Sequence, residues 1–473
     1  MRRFPRMVLA VLAAPAFACA HYQHYRPLGI EPQREAVRYR ARQLDDSDLV
    51  EFLNAQGARV RDTAWTSREL ALAALYYRAD LSELRSELAA ARAGEITAGA
   101  RPAPSAGVSV EHAARVDEGK STPWSVSLTA GLTIELGGKR AARIARARAS
   151  ALGARLRLDA TGWEISQHAR MAAIAVAEGT QSLADQRAEV EQLRTLAQLL
   201  RARFAAGEIS RAEVARADAD LQSASVLLVQ SARTNTEARS ALAQALAIAP
   251  TAVESLVVEP DNQSACDVLH AIGRDSLEAL ALRSHSAMGV ALADYAVAEA
   301  DLRFAVAQQY PDITIGPGIL WDEGVRHWVL SLATPLLPIQ ISGPVAEARA
   351  RRAAQAARVL VVEDSVLASV DSSASACRNV TPEVAVADSL VGETRRSLDL
   401  AENAYQRGEV GRTEVAFAQL GLARAQHTRR VAAARSNAAG AALEGAVGHW
   451  LTGPPIRWPD LTIAPDSSGG SRR

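Results

Sequence analysis

One segment of the chain occurs twice, at a distance of 201 residues. Residues 204–215 read FAAGEISRAEVA and residues 405–416 read YQRGEVGRTEVA, so an aromatic residue, a Gly-Glu pair, a Glu-Val pair and an alanine coincide. The correspondence continues from Leu221 to Leu422 at the same offset. Because self-similarity at one fixed distance is typical of a repeated structural unit, we expect two tandem copies of one unit.

The expected domain boundaries follow from this repetition. The first repeat covers residues 65–249 and the second covers residues 265–450, and the proline-containing segment 250–264 links them. Residues 19–64 form an N-terminal extension, and residues 451–473 are expected to be a flexible C-terminal tail.

Hydrophobic residues recur at steps of three and four around the repeated glycines, Gly207 and Gly408. This spacing is that of a coiled-coil seam, so each copy is predicted to contain a long helix, a tight turn at the glycine and a returning antiparallel helix. The outgoing helix of the first copy covers about residues 139–206 and would be ~100 Å long. Gly179 and Pro382 are expected to interrupt the two outgoing helices.

Residues 124–136 alternate between apolar and polar side chains, which is typical of a strand with two different faces. A weaker strand precedes it at residues 108–112, and the second copy has corresponding strands at about residues 312–321 and 328–336. One further helix is predicted before the strands of each copy, at about residues 67–98 and 267–309.

Composition limits the possible function classes. The 473-residue chain has 53 basic and 53 acidic residues, and this balance argues against a nucleic-acid-binding protein. Its three cysteines exclude a multi-cysteine zinc site, and no Ser/His/Asp set, paired-carboxylate site or nucleotide loop is found. His21 and His24 could bind a metal near the mature N-terminus, but a disordered tail is the favoured interpretation. We therefore expect neither an enzyme nor a bound cofactor. Cys266 and Cys377 could form a disulfide if the fold brought them together, which the sequence leaves open.

Residues 1–18 are predicted to be an export signal. Three arginines precede a short apolar segment, and residues 16–18 (AFA) have the small-x-small pattern of a cleavage site. Cys19 follows directly, at the position of the acylated cysteine of bacterial lipoproteins. Lipidation of Cys19 and plain cleavage with an unmodified cysteine both stay open, and either one places the chain outside the cytoplasm.

The order of these motifs resembles that of the TolC-like outer-membrane efflux protein family. The resemblance covers about residues 65–450. It is carried by the two aromatic-x-x-Gly-Glu tips with Glu-Val after them, by LGGKRAAR at residues 136–143 and by YPDIT at residues 310–314. The Gly-Gly-Lys-Arg run is similar to the heavy-metal-efflux branch of the family.

The resemblance implies a mixed, mainly α fold, the TolC-like channel-tunnel, in which each tandem repeat provides two β-strands and long antiparallel coiled-coil helices. A homotrimer would form one 12-stranded β-barrel in outer-membrane lipid and a periplasmic α-barrel. The chain would be the passive exit duct of a tripartite efflux system, with a periplasmic adaptor protein and an inner-membrane pump as partners. Metal cations are the hypothesised substrates.

The same resemblance places functional residues near the ends of the hairpins. Glu414, and Glu213 at the corresponding position of the first copy, would lie at the periplasmic entrance. The hairpin tips, to which the adaptor would dock, contain Gly207, Glu208, Gly408 and Glu409. The alternative for Glu213 and Glu414 is that they are solvated glutamates on a coiled coil. The alternative for the hairpin tips is that they are ordinary turns to which no partner binds.

Two other protein classes share some of these features. A periplasmic adaptor has a coiled-coil hairpin, but only one, flanked by globular β domains. A cytosolic structural coiled coil would have neither the export signal nor the amphipathic strands. The duplicated hairpins and strand pairs favour the channel over both classes.

Overall fold

The computed structural model describes residues 25–58, 64–112, 123–261, 263–269, 271–322, 325–335, 342–452 and 459–462. The described residues up to Arg42 and those from Gln43 onward form two separate units. In the first unit, helix α1 (Pro32–Ala41) has a proline in its first turn, where the missing backbone donor costs nothing, and none of its residues is buried.

The second unit contains the other helices and strands of the described residues. The helices up to the linker are α2 (Ser47–Ala55), α3 (Ser67–Tyr77), α4 (Ala79–Gly99), α5 (Lys139–Ala205) and α6 (Arg211–Leu246). After a short 3-10 helix (Pro250–Val253) come α7 (Ala265–Val268), α8 (Arg274–Ser284), α9 (Ser286–Ala307), α10 (Ser342–Gln406) and α11 (Arg412–Val447). The strands are β1 (Ser105–His112), β2 (Trp124–Ile134), β3 (Ile313–Asp322) and β4 (Val325–Ala333).

The two predicted helical hairpins are present. The outgoing helices α5 and α10 have 67 and 65 residues, and each is followed by a returning helix of 36 residues, α6 or α11. The expected interruptions at Gly179 and Pro382 are wrong, because both outgoing helices continue through them. A Cβ atom at Gly179 would lie 3.3 Å from the Cα atom of Asn235, so this glycine lets α5 and α6 pack closely.

Helix α10 stays continuous at Pro382 although proline removes one backbone donor and usually bends a helix. Two ion pairs fasten α10 to α11 directly after the proline. Nη1 of Arg435 lies 2.6 Å from Oε1 of Glu383, and Nε of Arg429 lies 2.5 Å from Oδ1 of Asp388. The returning helix thus supports the outgoing one where its own hydrogen bonding is weakest.

The prediction of one helix before the strands of each copy is wrong, because the chain turns within both segments. Arg78 separates α3 from α4 with φ −72° and ψ 120°, and His285 separates α8 from α9 with φ −68° and ψ 118°. Nδ1 of His285 accepts a hydrogen bond from the backbone N of Ala287 at 3.3 Å and so caps α9. Helix-forming residues flank both breaks, so hydrophobic spacing did not reveal them.

The strands form one antiparallel sheet in the order β1-β2-β3-β4. The central strands β2 and β3 come from different repeats and pair from Val126–Trp321 to Ile134–Ile313. All four predicted strands are confirmed, with ends that differ from the predicted ones by up to three residues. The sheet therefore joins the two copies.

The described part of the C-terminal tail is packed rather than flexible. Leu461 is 2% exposed and belongs to a buried apolar cluster that includes Trp65 and Leu158. The carbonyl oxygen of Leu461 also accepts a hydrogen bond from Nε of Arg85 at 2.7 Å. Residues 459–462 are therefore held by apolar burial and by a polar contact, which corrects the expectation of a flexible tail for this segment.

Candidate functional site in the sheet and the hairpins

One face of the sheet is apolar and exposed. Directly opposite residues of antiparallel strands share a face, and one row joins Val108 to Leu128, Leu128 to Ile319 and Ile319 to Trp328. Val108 is 68% exposed and Trp328 is 86% exposed. The same face carries Val110, Val126, Leu132, Ile134, Ile315, Leu330 and Leu332. Such a surface is better suited to hydrocarbon than to water.

The opposite face of the sheet is mainly polar. The hydroxyl groups of Ser109 and Ser127 are hydrogen-bonded at 2.7 Å, and those of Thr133 and Thr314 are 3.3 Å apart. The alternation predicted for β2 thus produces two chemically different faces. In the described part of the chain, no helix has both the length and the apolar character that crossing a membrane requires.

Both the sheet and the helices have open edges. Among the residues that the structure describes, β1 pairs only with β2, and β4 pairs only with β3. In the half of the hairpins that carries the tips, the helices contact one another in the order α6-α5-α11-α10, so α6 and α10 are outermost. Val229 on α6 and Leu400 on α10 are each 71% exposed. Unpaired strand edges and exposed apolar helix residues together indicate contact surfaces for another chain.

The Gly-Gly-Lys-Arg run forms the turn from β2 into α5. Gly137 has φ +70°, and a Cβ atom there would lie 2.8 Å from the carbonyl oxygen of Ala307, so glycine is required. Nζ of Lys139 lies 2.7 Å from Oδ1 of Asp312, which also accepts a hydrogen bond from the backbone N of Leu136 at 3.2 Å. The run therefore connects strands and helices of both repeats.

The hairpin tips have the same backbone conformation in both copies. Gly207 has φ +79° and Gly408 has φ +76°, values that favour glycine. The backbone N of Glu208 donates to the carbonyl of Arg203, and that of Glu409 to the carbonyl of Ala404, both at 2.9 Å. These bonds end the outgoing helices in Schellman-type turns. Both glutamates are exposed, and the Arg407 guanidinium lowers the pKa of Glu409 by hydrogen bonding.

Glu213 and Glu414 occupy the third position of their returning helices, but only Glu213 is engaged. Its Oε1 accepts hydrogen bonds from the backbone N of Ser210 at 3.2 Å and from Oγ at 3.1 Å. The backbone N of Glu213 donates to Oγ of Ser210 in return, which completes a capping box. Gly411 replaces this serine in the second copy, and the exposed Glu414 carboxylate has no partner among the described residues.

The Glu414 carboxylate borders a shallow groove between α10 and α11. Thr394 and Ser397 on α10 supply hydroxyl groups to the groove, and Phe417 on α11 supplies an apolar ring. Phe417 is 48% exposed and lies one helical turn after Glu414. The groove therefore places a free carboxylate beside polar and apolar groups near the tip of the second hairpin.

A buried group of charged residues joins the two repeats and was missed from the sequence. Arg170 on α5 pairs with Glu444 on α11, and their side chains are 2% and 0% exposed. Arg170 also lies 3.5 Å from Asp261, and Arg68 lies 3.4 Å from Glu444. Burial lowers the pKa of Arg68. No local pattern signals this group, because Arg170 and Glu444 are 274 residues apart.

A second set of charged contacts joins the hairpins closer to their tips. Asp185 on α5 accepts hydrogen bonds from Nη2 and Nε of Arg430, the bond from Nε at 2.8 Å, and its Oδ2 lies 3.1 Å from Nδ1 of His427. Nε of Arg424 lies 2.7 Å from Oε1 of Glu189, one turn further along α5. These contacts hold α11 against the outgoing helix of the other repeat.

Cys266 and Cys377 form a disulfide with a Cα–Cα distance of 5.1 Å, which answers the question that the sequence left open. Cys19, the predicted lipidation site, lies outside the described residues. Within the ranges that the structure describes, no three or more histidine, cysteine, aspartate or glutamate residues are grouped so that they could hold a metal ion.

Residues 70–247, most of the first repeat, match the family described as outer membrane efflux protein. The matched segment belongs to this TolC-like family. This match favours the outer-membrane channel over the periplasmic adaptor. No curated protein sequence matches the chain significantly.

The chain also shares its fold with solved outer-membrane proteins. VceC from Vibrio cholerae has a TM-score of 0.63 and 19% identity, over 82% of this chain and 97% of VceC. The CmeC outer membrane channel from Campylobacter jejuni has a TM-score of 0.62 and 12% identity, over 91% of this chain and 90% of CmeC. The MtrE outer membrane channel from Neisseria gonorrhoeae, crystallised in its open state, has a TM-score of 0.62 and 17% identity, over 83% of this chain and 91% of MtrE.

Proposed function

We propose that three copies of this efflux protein assemble into one outer-membrane channel. In a single copy, β1 and β4 are open edges, and lipid offers no hydrogen-bond partner to their backbone groups. Pairing β4 of each copy with β1 of the next closes three sheets into a 12-stranded barrel. The apolar face then contacts lipid and the polar face encloses water. The two-faced sheet with open edges is the observation that carries this proposal.

In this assembly the hairpins continue the channel into the periplasm as an α-barrel, with α6 of one copy packed against α10 of the next. The exposed tips at Gly207–Glu208 and Gly408–Glu409 receive a periplasmic adaptor protein, which links them to an inner-membrane pump. The pump supplies the energy, and the channel conducts passively with no chemical step. An acyl chain on Cys19 adds a lipid anchor.

The free carboxylate of Glu414 supports a role at the periplasmic entrance. In a trimer, three copies of Glu414 surround one pore and attract cations. Glu213 contributes less to this ring, since Ser210 engages its carboxylate. We accordingly propose metal cations as the exported substrates.

The assembly is tested with the purified mature protein in detergent. We expect a trimeric particle, a heat-modifiable band on gels and a water-filled conductance in planar bilayers. A monomer that dissolves without detergent contradicts the proposal. A protein that is released from membranes by carbonate and has no heat-modifiable band would instead be an adaptor.

The substrate is tested by deleting the gene and measuring growth on zinc, copper, cobalt and several organic drugs. We expect metal sensitivity that wild-type protein restores and Glu414→Gln restores only in part. Glu213→Gln is the matched control and should restore growth nearly as well as wild type. Sensitivity confined to organic drugs contradicts the metal substrate but leaves the channel intact.

A further inference from the structure

The Cys266–Cys377 disulfide closes a loop with a sequence separation of 111 residues. Cys266 lies on α7 at the start of the second repeat, and Cys377 lies near the middle of α10. The segment between them contains α8, α9, β3 and β4. One covalent link therefore fixes the base of the strand-bearing half of the second repeat.

Both cysteines are inaccessible in the folded chain, with 1% and 0% of their surface exposed. Helix α11 covers them, because Sγ of Cys266 lies 3.5 Å from the carbonyl oxygen of Ser436. Oγ of Ser264 donates a hydrogen bond to the same oxygen at 2.6 Å. A Cβ atom at Gly440 would lie 2.7 Å from the backbone N of Ala265, so α7 and α11 are in direct contact beside the disulfide.

The first repeat has no cysteine at its corresponding junction. There the backbone N of Trp65 donates to the carbonyl of Val257 at 3.0 Å, and Trp65 packs with a leucine-rich buried cluster. The cluster around Cys266 contains smaller residues, among them Ala265 and Ala374. At the position of the disulfide in the second repeat, the first repeat thus has a larger apolar core.

We propose that this chain is a substrate of a periplasmic thiol–disulfide oxidant, a protein that carries a reactive disulfide, and that its oxidation precedes assembly. The thiolate of one cysteine attacks the oxidant's disulfide, which releases one thiolate of the oxidant and forms a mixed disulfide; the thiolate of the other cysteine attacks this mixed disulfide and releases the second thiolate of the oxidant. Cys266 and Cys377 are oxidised to the disulfide. The oxidant's disulfide is reduced to two thiols, which take up the two protons that the cysteines lose.

The order of these steps follows from the burial. Once α11 packs against α7, no oxidant reaches either sulfur, so the bond forms while this junction is still open. Cys19 is the third cysteine of the chain. Acylation of its sulfur leaves Cys266 and Cys377 as the only possible pair.

The time at which a reductant acts in living cells tests the proposal. Dithiothreitol is added either during a short labelling pulse or after a chase, free thiols are alkylated and counted by mass, and assembled protein is measured by its heat-modifiable band. We expect early addition to leave both cysteines alkylated and to lower the assembled yield at least about tenfold, and late addition to change neither. An unchanged yield after early addition overturns the proposal, as does reduction of the folded protein by late addition.

The Cys266→Ala/Cys377→Ala double variant is the matched control for other effects of the reductant. Its assembled yield should be about as low as that of reductant-treated wild type, and dithiothreitol should not lower it further. A double variant that assembles as well as wild type overturns the proposal. None of these readouts requires transport, so their failure is distinguishable from failure of the proposed efflux function.

Discussion

The buried carboxylate of Glu444 binds Arg170 across the junction of the two repeats. Its Oε1 also accepts hydrogen bonds from the backbone N of Leu451 at 2.6 Å and of Thr452 at 2.9 Å. Glu444 therefore connects α5, α11 and the chain after α11. Breaking such a buried pair is costly even where the intact pair adds little net stability, because one charge is left without its partner.

Glu444→Ala is expected to lower the free energy of unfolding by about 3–5 kcal/mol, since Arg170 and Arg68 then face only Asp261. The Arg170→Met/Glu444→Leu double variant should lose less of its free energy of unfolding, because it leaves one arginine, Arg68, with one aspartate, Asp261. Denaturant unfolding in detergent measures both. A double variant that is less stable than Glu444→Ala would contradict this account.

Two glycines of α11 are expected to respond oppositely to alanine. At Gly440 the new Cβ would lie 2.7 Å from the backbone N of Ala265, so Gly440→Ala should destabilise the protein by about 1–3 kcal/mol. Gly421 has open space around it, so Gly421→Ala should stabilise the helix by up to about 1 kcal/mol. Melting temperatures of the two variants check the signs, and two shifts in the same direction would refute the packing argument.

Gly411→Ser is expected to reduce cation selectivity although it adds no charge. The new serine would form with Glu414 the capping box that Ser210 forms with Glu213, so the free carboxylate would be engaged. Reversal potentials in planar bilayers under a salt gradient measure the effect, and Glu414→Gln gives its upper limit. Gly411→Ala is the control, and selectivity that is equal in the serine and alanine variants would rule out the capping explanation.

An arginine should be tolerated on one face of β2 and not on the other. Leu128→Arg places a charge on the apolar face, where it should cost about 2–4 kcal/mol near the middle of the bilayer. Ser127→Arg, one residue away on the polar face, should lower the stability of the folded protein much less. The heat-modifiable fraction recovered from outer membranes compares the two, and equal losses would contradict the assignment of faces.

Burial lowers the pKa of His285 below its ordinary value of 6.5. The unfolded chain therefore binds a proton more readily than the folded chain. Stability should fall as the pH decreases through about 6.5 and should level off below the folded-state pKa. His285→Asn keeps an acceptor for the backbone N of Ala287 but does not titrate, so melting curves from about pH 8 to pH 5 should show a weaker pH dependence. An unchanged pH dependence would exclude His285 as the cause.

The two glutamates proposed for the periplasmic entrance show how far sequence reasoning reaches at the candidate site. Aligning the repeats placed Glu213 and Glu414 at one position, and both lie at the same point of their helices. The difference between them was visible as Ser-x-x-Glu against Gly-x-x-Glu, a capping-box signature present in one copy only. The structure adds that Ser210 engages the first carboxylate and that the second lies beside Phe417.

By itself the sequence determined the two hairpins, the four strands and the two faces of the sheet, because helix and strand periodicity depends on residues that are close along the chain. It did not determine the turns at Arg78 and His285, where one extended residue interrupts an otherwise helical stretch. Only the tertiary structure decided that Arg170 meets Glu444 and that Cys266 meets Cys377. Those partners are 274 and 111 residues apart, and the packing of α5, α7, α10 and α11, rather than any local pattern, brings them together.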